Sequence, residues 1–105
     1  MNESVHLFKL ASGEEIIANL VKVEQIGTKS KKTISAFFLQ WPRLVRLEDG
    51  YHTTPWIMGI EKPNQLFPVR SEHVLFYWGR QDIDEILLEE YDGFLRRREL
   101  EHQHG

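Results

Sequence analysis

The chain has 105 residues, 41% hydrophobic and 28% charged, which fits one globular domain and excludes a disordered tract of low hydrophobicity. Its 13 Lys and Arg stand against 16 Asp and Glu, so the net charge of −3 lends nothing to attraction by phosphate, and contact with nucleic acid needs a locally basic patch. The absence of cysteine excludes disulfides, thiolate metal sites and cysteine nucleophiles.

No apolar run reaches the roughly 18–20 residues that span a bilayer. The Met1-Asn2-Glu3-Ser4 start is not basic, so no signal peptide is read there, and a cytoplasmic protein is expected.

Residues 5–10 read as a first strand, with Val5 and Leu7 on one face and His6, Phe8 and Leu10 on the other. Ala11-Ser12-Gly13 is a turn, where Gly13 can supply a positive φ. In residues 14–24, Ile16, Ala18 and Leu20 share one face before Ile17, Val21 and Val23 populate the other. That change of sides predicts a strongly bent strand serving two surfaces. Residues 25–32, with Gly27 and the Lys29-Ser30-Lys31-Lys32 run, read as a solvated loop.

Residues 33–40 form a third strand, apolar on both faces, which Trp41-Pro42 interrupts because proline has no donor for the ladder. Extended structure resumes over residues 43–47, and Glu48-Asp49-Gly50 is a hairpin turn. Pro55-Trp56-Ile57-Met58 is a short strand or an apolar loop folded onto the sheet, and Pro63-Asn64 marks another turn.

Two further short runs, residues 66–69 and 74–78, flank the polar Arg70-Ser71-Glu72-His73 and read as two strands joined by a tight turn. The second run places Val74, Phe76 and Trp78 on one side and Leu75 and Tyr77 on the other. A strand apolar on both faces needs cover on both, from this chain or from a neighbour. Asp82 then stands three residues before Glu85 in the spacing of a capping box. Ile83, Ile86, Leu87 and Tyr91 follow as a helical stripe, and Asp92-Gly93 reads as its stop. The expected protein is mainly β, with about five curved strands over residues 1–80, a helix over 81–95 packed on the same domain, and a flexible tail over 96–105.

Two blocks carry a family resemblance. The first is Leu7-Phe8-Lys9-Leu10-Ala11-Ser12-Gly13-Glu14-Glu15-Ile16-Ile17-Ala18-Asn19-Leu20. The second is Phe67-Pro68-Val69-Arg70-Ser71-Glu72-His73-Val74-Leu75-Phe76. Together they resemble the two motifs of the Sm-like (LSm) superfamily, and more narrowly the small Sm-like proteins encoded by marine phages. The Leu10, Gly13 and Leu20 spacing matches the first motif, with Ala18 where the family usually has glycine. Arg70 matches the arginine of the second, with Ser71 in place of the glycine after it.

The resemblance implies a small, strongly bent five-stranded barrel and a closed ring of identical subunits. The last strand of one copy would pair with the next copy, making Val74, Leu75, Phe76, Tyr77 and Trp78 subunit interface. It also implies RNA binding around the pore, in the cytoplasm of a host cell for a phage protein. Here the helix follows the barrel, whereas most members carry one in front.

Each candidate site has a plainer reading beside it. Arg70 can clamp a base or phosphate through its planar fork, or can pair with Glu72 as a turn arginine. His73 can stack on a base or simply close the turn. Lys29, Lys31 and Lys32 can track a phosphate backbone or remain a solvated charge run. Trp41, Trp56, Tyr77 and Trp78 can offer stacking platforms, but core or subunit seam is the commoner use.

His102 and His104 lack an obvious third ligand, so no metal is expected, and no cofactor motif is present. The adjacent Glu14 and Glu15 point to opposite faces of a strand and make no acid–base couple, so no enzyme is expected. The leading function is an RNA-binding or nucleic-acid-associated ring. Its rival is a structural ring without RNA, whose acidic helix docks a protein partner.

Overall fold

The computed structural model of the chain describes residues 4–57 and 65–104. Strands β1 (Val5–Leu10), β2 (Glu15–Thr28), β3 (Lys31–Leu47), β4 (Tyr51–Pro55), β5 (Phe67–Arg70) and β6 (Val74–Gly79) form one antiparallel sheet, followed by helix α1 (Glu85–His104). The protein is thus mainly β, a strongly curled half-barrel with a C-terminal helix, as expected, although with six strands rather than five. Met58 and the expected turn at Pro63-Asn64 lie outside the described residues.

The sheet order is β4-β3-β2-β1-β6, with β5 on β3. β5 pairs with residues 36–39 and β4 with residues 43–47, so β3 carries two short partners along one edge. Curvature comes from bulges. The β2–β3 register shifts at Ile17/Asn19, Leu20/Lys22 and Glu24/Gln25, and each extra residue adds bend and twist.

Trp41-Pro42 does not end the strand. Trp41 takes a left-handed φ of 53°. Both residues bulge out between the Ile17–Arg43 and Asn19–Gln40 pairs, so the donor proline lacks is not required there.

The alternation of side chains along β1 and β2 splits the interior into two cores, one on each face of the sheet. Phe8, Leu10, Ile16, Ala18, Phe37, Leu39 and Val69 form the first. Val5 and Ile17 face the other way and meet Ile83, just ahead of α1, and Leu87, Leu88, Tyr91 and Phe94 on the helix's apolar side.

Val21 and Val23 do not extend either core. Residues 21–33 are exposed on both strands, because beyond Leu20 no layer of the described residues covers the β2–β3 ribbon. The expected loop over residues 25–32 is the end of this ribbon, zipped to its last pair at Thr28–Lys31. Gly27, at φ 119°, is required there, since a Cβ would collide with the Lys31 carbonyl.

The helix starts later than the capping-box spacing implies. Residues Arg80–Asp82 take a 3₁₀ turn, and the cap is Asp84, whose Oδ1 accepts the Ile86 N–H at 2.8 Å. Nor does the helix stop at Asp92-Gly93, since its backbone stays helical to His104. Glycine inside a helix costs only about 1 kcal/mol, and tertiary contacts on both sides outweigh that.

Asp92 forms a two-pronged ion pair with Arg80. Past the glycine, Phe94 lies edge-on to Trp41, with ring centroids 6.1 Å apart, and Arg98 stacks 5.3 Å from the Trp41 ring. Arg43 sits between sheet and helix, its Nη2 donating to the Thr53 carbonyl at 2.7 Å and its guanidinium 4.1 Å over Phe94. Burial, then the nearby Arg98, lowers its pKa from the ordinary value.

Candidate nucleic-acid interface

Arg70 closes β5, where its backbone pairs with Ala36. Its side chain is 77% exposed, and Nε lies 3.3 Å from the Glu72 carboxylate, an ion pair contributing at most about 1 kcal/mol in so much water. The following 3₁₀ turn, Ser71–His73, carries the chain from β5 to β6, which pairs with β1. The Ala11 N–H donates to the His73 carbonyl at 2.8 Å, pinning the β1–β2 turn against this segment.

That juxtaposition borders an open cleft of about 440 Å³. Its apolar walls are Trp56, Leu10, Pro68 and Val69. Ser12, Glu14, Arg70 and His73 supply the polar part of the lining.

Lys29, Lys31 and Lys32 are placed elsewhere, exposed at the far end of the β2–β3 ribbon. Lys32 is four residues from Ala36, the partner of Arg70, which is about 13 Å along an extended strand. The structure therefore joins Arg70 to His73 and leaves the lysines as a separate basic tip.

β6 forms the end of the sheet and pairs with β1 alone among the described residues. Tyr77 leans on the first core, 5.0 Å from Phe37 and 6.1 Å from Phe8 between ring centroids, yet stays 45% exposed. Leu75 and Phe76 are 56% and 62% exposed, and Trp78 stacks on Phe76 at 5.9 Å. Val74 packs partly on the first core, making it the best covered of the five interface candidates. Trp41 packs against Phe94 and Arg98 of α1.

Sequence reasoning missed Ser12, Glu14 and Trp56 as neighbours of Arg70. The available signal was the pair of motif-like blocks, since the Ala11-Ser12-Gly13 turn of one abuts the Arg70–His73 segment of the other. Glu14 lies in the turn before β2, where Ser12 Oγ donates to its Oε1 at 3.1 Å, while Glu15 approaches Lys9 at 3.8 Å. Among the described residues no group of three or more His, Asp or Glu is placed to hold a metal ion, and no helix is long and apolar enough to cross a membrane.

Fold and site together define a small, strongly curled β protein with an exposed apolar edge strand and a mixed aromatic and polar cleft. Comparison with models of protein families, with curated proteins and with solved structures finds no match.

Proposed function

We propose that the protein is an Sm-like, ring-forming module in which β6 of one copy pairs with β5 of the next, and which binds RNA through Arg70 and His73. The observation that carries this reading is the state of β6. A hydrophobic edge strand whose outer side pairs with no other strand among the described residues invites another strand. β5, at the other limit of the curled sheet, also has one strand neighbour among the described residues. Two different edges joined head to tail make a heterologous contact, which closes into a ring when the rotation per subunit allows.

RNA binding rests on the pairing of a guanidinium and an imidazole beside a cavity with an indole wall. The lysine tip adds phosphate contacts at a distance. A ring that binds no RNA is the second reading, favoured by the net charge of −3 and by the Arg70–Glu72 pair. In it the acidic start of α1 docks a protein partner.

The mass of the native particle tests assembly. A multiple of the chain mass is expected, and Leu75→Lys or Tyr77→Asp should lower it by placing an unpaired charge in the seam. A monomeric native protein, or variants of unchanged mass, would refute the seam. Retention of a short uridine-rich RNA at two salt concentrations tests the ligand. Affinity should fall as salt rises, and Arg70→Ala should weaken it without changing the mass. No retention at low salt favours the ring without RNA.

A further inference from the structure

We infer that the cavity beside Arg70 is a guanine-selective nucleotide site, with Glu14 reading the base. This rests on the RNA reading only in taking a nucleotide as ligand. The volume, about 440 Å³, lies in the range of small-ligand pockets, about 300–1,000 Å³.

One wall is the partly buried indole of Trp56, which packs on the first core and offers a flat apolar surface to a planar ring. Two opposite charges, Glu14 and Arg70, line the same space. An isolated anion would be drawn to Arg70 but repelled by Glu14. A base that presents donors along one edge and acceptors along another satisfies both.

The donor and acceptor inventory selects the base. An ionised carboxylate only accepts hydrogen bonds. Guanine offers two adjacent donors, N1–H and the N2 amino group, which a carboxylate can take together. Its O6 and N7 are acceptors suited to a two-pronged arginine. Uracil places its single N3–H between two carbonyl oxygens, each of which a carboxylate repels. Adenine and cytosine set an acceptor ring nitrogen beside the amino group, so one carboxylate oxygen is left opposed.

The groups are also free for this use. Ser12 Oγ engages Glu14 Oε1 at 3.1 Å, holding the carboxylate in place, while Oε2 has no partner among the described residues. Arg70 meets Glu72 through Nε, leaving its Nη groups without partners among the described residues. His73 on the same lining supplies a further polar contact for ribose or phosphate.

Calorimetric titration of the native protein with guanosine, uridine, adenosine and cytidine 5′-monophosphates tests the inference. Guanosine monophosphate should bind about tenfold or more tighter than the other three, the scale of one good two-pronged base contact. Glu14→Gln replaces one acceptor by a donor and should abolish that preference, leaving uridine monophosphate binding within about twofold. Glu14 is exposed, so the fold does not depend on it. Trp56→Leu should weaken all four nucleotides together.

Equal binding of the four nucleotides, no detectable binding of guanosine monophosphate, or a Glu14→Gln variant that keeps the preference would each overturn it. Particle mass and uridine-rich RNA retention, measured on the same preparation, keep the two claims apart. RNA retention without guanine preference sinks this inference alone. Guanine preference in a monomer that retains no RNA sinks the ring reading and leaves the pocket standing.

Discussion

Tyr91→Phe removes one oxygen from the join between helix and sheet. Tyr91 is fully buried, and its hydroxyl donates to the Trp41 carbonyl at 2.8 Å. That carbonyl belongs to the bulge, outside the β2–β3 pairing. Phenylalanine preserves the ring's packing but leaves a part-buried carbonyl without that donor, at a cost of about 1–3 kcal/mol. For a domain of this size a loss of about 2 kcal/mol lowers Tm by roughly 10 °C. Urea denaturation at one protein concentration should show a lower midpoint with an unchanged slope.

A second signature comes from pH. Burial pushes the Tyr91 phenol well above its ordinary range. Above about pH 10 the unfolded chain loses this proton while the folded chain keeps it, so stability falls with rising pH, by up to about 1.4 kcal/mol per unit from this group. Below pH 10 both states hold the proton and the contribution is complete. Tyr91→Phe should lose that alkaline component. A destabilisation under about 0.5 kcal/mol, together with an unaltered alkaline slope, would refute the role given to this hydroxyl.

Two further substitutions test the ends of the architecture. Phe94→Ala removes a buried ring that meets Tyr91, Trp41 and Arg43, and should cost about 3–5 kcal/mol in chemical denaturation. A smaller loss, under about 1 kcal/mol, would mean that the second half of α1 adds little. Gly27→Ala forces a side chain onto the Lys31 carbonyl at the uncovered end of the ribbon. Amide exchange at Ile26 and Lys32 should accelerate while the core amides stay protected. Loss of protection throughout the sheet would show that the ribbon end supports the core.

The strands around Gly13 and Gly50 were legible because turn residues and apolar spacing agree locally, and both glycines adopt the positive φ such turns use. The ribbon was not. Val21 and Val23 look like a second buried face, and only their exposure in the folded chain shows otherwise.

Trp41-Pro42 reads locally as a break, yet a bulge answered by Tyr91, 50 residues away, keeps the strand continuous. The helix end was hidden for a similar reason. Asp92-Gly93 is a local stop signal overridden by partners at Arg80, Trp41 and Arg43. Arg70, His73 and Trp56 each stood out as candidates in the sequence, but no local signal set the indole beside the other two, because they come from segments well apart in the chain.

The middle of β2 has an evolutionary consequence. Ile16 and Ala18 belong to one core and Ile17 to the other, so neither side of the strand is spare. One residue gained or lost there would turn every neighbour through the sheet and exchange what the helix sees for what the curl encloses. Length variation between descendants of this sequence should therefore collect in the exposed ribbon, while the few positions around Ile17 keep a fixed count even where their identities drift.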